Sequence, residues 1–265
     1  MTLIQIAVLA LIQGLTEFLP VSSSAHLILG SVFFGWADQG LVFDVASHLG
    51  TLLAALVYFR RDWLDMAGAC LKTPQTAADQ RHRKMAVLIV LATIPALLVG
   101  GLAPDFVEKY LRDVTVIAWT TVGFGLLLGV VDRVAPKTRT VESIGLRDAV
   151  WIGLAQACAL VPGVSRSGIT ITAARFLGLS PDAAARFSFL LAVPIIAAAG
   201  TFGVYRVAAG NAGIDWLQFG IALLLSFLAG WVCIAAFLAL LRRVGLMPFV
   251  IYRLILGAAL FWALY

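Results

Sequence analysis

The amino-acid sequence predicts an all-α polytopic membrane protein with an inverted-topology repeat: six transmembrane helices plus two re-entrant helix pairs. Three observations carry that reading. Of 265 residues, 62% are apolar and 12% charged, against about half and about a quarter in an ordinary soluble domain. Mean hydropathy is +0.99. Two long apolar stretches are each interrupted by a proline and a serine cluster, and the interruptions recur 143 residues apart, from Gln13 to Gln156.

So much apolar surface exceeds what one core can hide, and part of it must face lipid. A disordered chain, a nucleic-acid-binding domain and a soluble globular enzyme are excluded. A helix of ~20 residues crosses the ~30 Å hydrocarbon layer. Segments of that kind run over residues 43–60, 85–103, 115–132, 185–206, 217–241 and 248–265. The first segment lacks the basic start of a signal peptide and carries Gln13 and Glu17, so it is expected in the mature protein. Cys70, Cys158 and Cys233 have no metal-type spacing and read as small apolar residues.

Residues 2–35 and 147–178 are different. The first holds Glu17-Phe18-Leu19-Pro20-Val21-Ser22-Ser23-Ser24-Ala25-His26 between apolar runs. The second holds Pro162-Gly163-Val164-Ser165-Arg166-Ser167-Gly168, with a new helix starting near Ser165 or Arg166. Each half is only ~12–16 residues, short for a span and suited to helices that meet inside the membrane. Phe43 of the following span corresponds to Phe187. The chain is thus expected to be a single integral domain over 1–265, with repeat 1 over about 1–135 and repeat 2 over about 145–265. Each repeat has three crossings, an odd number, so the second copy lies upside down.

Loop charge sets the orientation. Residues 61–84, 132–148 and 242–247, with Arg60, hold 12 of the 19 Lys and Arg. The connections at 36–42 and 207–216 hold none, and 104–114 holds Lys109 and Arg112 against three acids. Both termini are therefore expected outside, with the first re-entrant pair entering from that side.

The interruptions carry the chemistry. A carboxylate such as Glu17 deep in a bilayer normally faces a polar cavity. Ser22, Ser23 and Ser24 open a helix whose free N–H groups suit phosphate; one of them is needed as a cap. His26 lies within a turn of these hydroxyls, where an imidazole can act as base to a nucleophile. Arg166 supplies a permanently charged fork for phosphate oxygens, flanked by Ser165, Ser167 and Thr170. Gln13 sits one turn before Glu17, and the two can share a hard cation through oxygen. Asp44 and His48, also one turn apart, are expected to be structural or to line a cavity. Together these groups suit a phosphate-bearing lipid.

The stretch from Gln13 to His26 resembles the first signature of the undecaprenyl-pyrophosphate phosphatase family, also called the bacitracin-resistance protein family. Pro162 to Gly168 looks like its second signature, and Phe43 to Leu53 also resembles the family. The resemblance covers essentially the whole chain. It implies hydrolysis of the terminal phosphate of undecaprenyl pyrophosphate, to undecaprenyl phosphate and inorganic phosphate, for recycling of a cell-wall lipid carrier in the bacterial inner membrane. It further implies stimulation by a divalent cation, Mg²⁺ or Ca²⁺. Ser23, His26, Glu17 and Arg166 fall on the catalytic positions, and Gln13 stands where many relatives have glutamate. Implied partners are the lipid substrate and surrounding membrane lipids, with bacitracin involved indirectly by competing for that substrate; nucleic acid is not among them, and a homodimer is compatible. Under the rival reading, a transporter or flippase, Glu17 and Arg166 would bind the head group without cleaving it.

Overall fold

A computed structural model describes residues 1–102, 111, 113–210 and 213–264. Most of the predicted 104–114 connection, with Lys109 and Arg112, lies outside the described residues. Six helices are long and apolar enough to span: α3 (Gly40–Tyr58), α5 (Ala77–Leu102), α6 (Val114–Val134), α9 (Pro181–Ala209), α10 (Trp216–Val244) and α11 (Met247–Leu264). They fall on the six predicted segments, and the protein is a multi-pass membrane protein. The four halves of the interrupted stretches are α1 (Leu3–Glu17), α2 (Ser23–Phe34), α7 (Leu146–Ala157) and α8 (Arg166–Phe176). The longest of these has 15 residues, or roughly 22 Å at ~1.5 Å per residue, short of the hydrocarbon thickness.

One segment departs from expectation. Residues 61–84, read as a loop, hold α4 (Arg60–Leu71) and the start of α5. Leu, Met, Ala and Arg are strong helix formers, and Asp62 lies in the first turn of α4 where the helix dipole favours it. Reciprocal bonds between Thr76 and Asp79, at 3.0 and 3.1 Å, close a capping box at the start of α5.

Small residues let the helices approach closely, as lipid-embedded packing requires. α10 lies against both α1 and α3. A Cβ on Gly14 would fall 2.7 Å from Ser226 O, and one on Gly50 would overlap Leu223 O. Ser226 Oγ donates to Ala10 O at 2.9 Å across the first of these contacts. α7 meets α5 in the same way: a Cβ on Gly153 would sit 2.6 Å from Ala92 O. Inside, Phe189 of α9 gathers Phe18, Phe59 and Phe237, with ring centroids 5.4, 6.4 and 5.5 Å away. Phe18, the residue after Glu17, belongs to that aromatic core.

The three loops predicted to be inside meet at one end of the molecule. Arg186 pairs with Asp62, Arg242 with Asp182 at 3.3 Å, and Lys84 reaches Glu142 O at 3.5 Å. Arg175, fully buried, holds Asp132 at 2.9 Å. Arg139 grips Asp148 through two N–H groups, at 2.6 and 3.0 Å, and its backbone bonds Gly178 O and Ser180 N.

The Arg139 hydrogen bonds, helped by the Gly145 N–H, hold the Asp148 carboxyl below the usual carboxylate range despite partial burial. A depressed folded pKa contributes stability above the unfolded value, near ~3.9, and loses it as pH falls through the folded value. Asp148→Asn is expected to lower the thermal midpoint at pH 7, with the gap to the parent closing as pH drops from ~5 through ~3. Midpoints in detergent across that range measure it; a constant gap would contradict the assignment.

Candidate functional site

Both interruptions are built the same way. α1 ends at Glu17 and α2 begins at Ser23; α7 is followed by a short 3-10 turn and α8 begins at Arg166. The residue before each new helix is left-handed: Ser22 has φ +71° and Ser165 has φ +72°. Ser22 Oγ accepts from Ala25 N at 3.4 Å, and Ser165 Oγ from Gly168 N at 3.1 Å. Each hydroxyl also touches the serine two residues on, Ser24 at 3.1 Å and Ser167 at 3.2 Å. Ser22 and Ser165 are 143 residues apart. Ser23 and Arg166 therefore occupy equivalent first positions of two helices.

The interruptions touch. Arg166 Nη2 donates to Glu17 Oε1 at 3.1 Å, and its guanidinium lies 5.8 Å from the Phe18 ring centroid. Ser23 Oγ donates to Glu17 Oε2 at 3.0 Å, as does Gln13 Nε2 at 2.9 Å. Ser167 Oγ donates to Leu19 O at 2.7 Å, and Gly163 N to Ser24 Oγ at 3.3 Å. Glu17 is buried and Ser23 half-buried. A carboxylate thus sits between a hydroxyl it can deprotonate and a guanidinium that stabilises negative charge.

Other predicted site residues sit differently from Ser23 and Arg166. His26 was expected beside the serine nucleophile. Its Nδ1 instead donates to Ser22 O at 2.7 Å, and its Nε2 lies 2.7 Å from Tyr252 OH, with the rings stacked at 5.5 Å. The Ser22 carbonyl and the Tyr252 hydroxyl occupy both ring nitrogens, and among the described residues no hydrogen bond joins His26 to Ser23. Ser22, Ser165, Ser167 and Thr170, expected as phosphate ligands, are buried and occupied by the backbone and one another. Thr170 Oγ1 bonds Arg166 O at 2.8 Å and Ser188 Oγ at 2.7 Å. Turns this tight in an apolar setting consume their own hydroxyls.

Ser23 and Ser24 do face open space. With Gln13, Asp44 and His48 they line a cavity of about 430 Å³. It adjoins a larger, mostly apolar groove of about 760 Å³ between α5 and α9, and the two share Asp38, Asp44 and Pro162. Asp44 and His48 are cavity-lining, as expected. No group of three or more His, Cys, Asp or Glu gathers as a metal cluster among the described residues. Gln13 Oε1, however, is buried with no hydrogen-bond partner.

Sequence reasoning passed over Arg253. It lies in the middle of α11, fully buried, and its five N–H groups reach five carbonyls. Nε bonds Thr121 O at 3.0 Å; Nη1 bonds Val164 O at 2.9 Å and Pro20 O at 3.4 Å; Nη2 bonds Gly163 O at 2.9 Å and Thr120 O at 3.3 Å. The signal was present, since a lone arginine inside an apolar span marks a functional or structural partner by default. Tyr252 and Ser188 carried no comparable signal.

The family described as bacitracin resistance protein BacA matches residues 6–259. The chain belongs to that family. Among similar BacA-like proteins is the undecaprenyl-diphosphatase of Hahella chejuensis, 51% identical over 100% of this chain and 99% of the relative. Proteins of the same name from Colwellia psychrerythraea, 52% identical over 99% of each chain, and Teredinibacter turnerae, 50% identical over 99% of this chain and 100% of the relative, match equally well.

Removing the Arg253 guanidinium would leave buried carbonyls in both interruptions without partners, at ~1–3 kcal/mol each. Arg253→Met is expected to destabilise by at least ~3 kcal/mol, and Arg253→Lys by less, because the ammonium retains three donors. Reversible denaturant unfolding in mixed micelles measures both; an unchanged Arg253→Met would contradict the role.

Proposed function

We propose that the chain is an undecaprenyl-diphosphatase, hydrolysing the terminal phosphate of undecaprenyl pyrophosphate to undecaprenyl phosphate and inorganic phosphate. The observation that carries this is the contact chain from Ser23 through Glu17 to Arg166, which joins the two signature segments at one point. The adjoining spaces match such a substrate in kind. The polar cavity suits a diphosphate and the apolar groove a prenyl tail.

Ser23 Oγ attacks the terminal phosphorus while its proton passes to Glu17 Oε2. The bridging P–O bond breaks, and undecaprenyl phosphate leaves with that oxygen. Arg166, released from Glu17 as the carboxylate is neutralised, holds the equatorial oxygens with the N–H groups of the first turn of α2. Water then attacks the phosphoserine, Glu17 returns its proton to the departing Ser23 Oγ, and dihydrogen phosphate is released. His26 acts at one remove, fixing Ser22 and so the start of α2. In the competing route water attacks directly with Glu17 as base.

A divalent cation fits here. The Glu17 carboxylate and the unpartnered Gln13 amide oxygen are hard donors one helical turn apart, and they would hold Mg²⁺ or Ca²⁺. Bound there, the ion would offset the charge of the diphosphate.

The inverted repeat and the two re-entrant pairs belong to this reading. They are supported by the matching turns at Ser22 and Ser165 and by the shortness of α1, α2, α7 and α8. The inner membrane, with both termini outside and the site open outward, is supported by the basic end formed by the 61–84, 132–148 and 242–247 segments. The cavity mouth at Asp38 and Gln39 belongs to a connection without Lys or Arg.

Phosphate release from a prenyl diphosphate by the purified chain in detergent, with and without chelator, tests the function. A transporter would release none, because it leaves the anhydride bond intact. Ser23→Ala is expected to abolish turnover, and near-normal turnover would leave only direct attack by water. Arg166→Lys keeps the charge but loses the fork, and is expected to lose at least ~10-fold in rate. A full rate would remove Arg166 from the phosphate.

A further inference from the structure

The proposed reaction ends with water attacking a phosphoserine, and α3 brings to that step a group otherwise unused. His48 lines the polar cavity together with Ser23 and Ser24. It stands one turn after Asp44, and its Nδ1 lies 2.7 Å from Asp44 O. A carbonyl only accepts, so Nδ1 carries the hydrogen, and in the neutral ring Nε2 presents a lone pair. Tied at one nitrogen, the ring holds the other in a fixed direction.

That direction is toward the reacting groups. His48 Nε2 stands 3.9 Å from Glu17 Oε2, the same oxygen that accepts from Ser23 Oγ at 3.0 Å, so Ser23 Oγ and His48 Nε2 lie within about 7 Å of one another. The longer of these separations exceeds a hydrogen bond, whose length is about 2.7–3.2 Å, so Glu17 does not occupy the lone pair. A phosphoryl group on Ser23, with a water ~3–3.5 Å from its phosphorus, fits the gap between Ser23 and His48. The other acceptors of the cavity are engaged. Ser24 Oγ accepts from Gly163 N, Asp44 Oδ1 accepts from Gln39 Nε2 at 3.2 Å, and Gln13 Oε1 is assigned to the cation above.

We propose that His48 is a further catalytic residue: its Nε2 accepts a hydrogen bond from the water that hydrolyses the phosphoserine and so fixes the line of attack, a role that rests on the phosphatase reading. The water oxygen bonds to phosphorus as the P–Oγ bond breaks. Ser23 Oγ takes the proton held on Glu17, and dihydrogen phosphate leaves with both water hydrogens. His48 neither gains nor loses a proton. It works by placement, which supplies most of the catalysis in phosphoryl transfer.

Rapid-quench turnover of undecaprenyl diphosphate by the purified full-length chain in detergent tests this. Prenyl phosphate, inorganic phosphate and phosphorylated Ser23 are followed separately. His48→Leu removes the acceptor, and is expected to lose at least ~10-fold in steady phosphate release while prenyl phosphate release in the first turnover falls less than ~3-fold. Phosphorylated Ser23, scarce in the parent, is expected to accumulate in that variant. His48→Gln keeps an acceptor oxygen at similar reach, and is expected to regain most of the rate and lose the accumulation. A structural role alone would slow both phases together. The size of the first turnover also counts the folded, active molecules, so a fold defect in His48→Leu cannot mask the answer. Unchanged phosphate release in His48→Leu overturns the proposal, as does slowing without phosphorylated Ser23 or a His48→Gln as slow as His48→Leu. A parent that releases no prenyl phosphate sinks the phosphatase reading itself.

Discussion

Interrupting a helix frees main-chain carbonyls that must find other donors, and this single requirement organises the region around both breaks. Leu19 O is met by Ser167, Pro20 O by Arg253, Pro162 O by Thr120, and Gly163 O and Val164 O by Arg253 again. The donors come from α6, α8 and α11, so satisfying one break draws distant parts of the chain around both. Arg253 does this with a charge that has no close carboxylate partner among the described residues, spread over five carbonyl dipoles. Gly163, at φ +89°, passes so close to α6 that a Cβ would meet Ile117 O at 2.6 Å. The Glu17–Arg166 pair forms where these constraints have already brought the two turns together.

Two turns of the same construction do different work. In each, a left-handed serine caps the new helix and a second serine ties that turn to the other interruption. What differs is the residue between them, a hydroxyl at Ser23 and a guanidinium at Arg166. Equivalent positions facing one another thus present a hydroxyl and a guanidinium, with Glu17 shared between them. Most of the polar residues at this depth build the scaffold, and only a few are left free to react.

Much of this was legible in the sequence. The six spans follow from apolar run length alone, and the two interruptions from proline and serine where lipid demands neither. Pairing Glu17 with Arg166 could be anticipated because each is too costly at membrane depth without a partner. The division among the serines could not. Which hydroxyl caps, which bridges and which faces the cavity depends on the left-handed backbone of Ser22 and Ser165, and nothing in a run of three serines fixes that. The orientation of His26 depends likewise on Tyr252, 226 residues away. The helical character of 60–71 was obscured because Arg60, Arg61, Asp62 and Asp65 give its first half the charge of a loop.

The salt link between α1 and α8 also bears on what the enzyme must ignore. A reaction centre within a bilayer is surrounded by phosphodiester head groups at overwhelming concentration. A bare guanidinium there would be permanently clogged by them. By keeping its own internal anion against Arg166, the protein would set a threshold in the proposed reaction: an incoming phosphate would displace the carboxylate only if it brought more negative charge than Glu17 already supplies. A singly charged diester falls short, whereas a terminal diphosphate exceeds it. Under the proposed function the ion pair would therefore filter head groups by charge before any bond is broken.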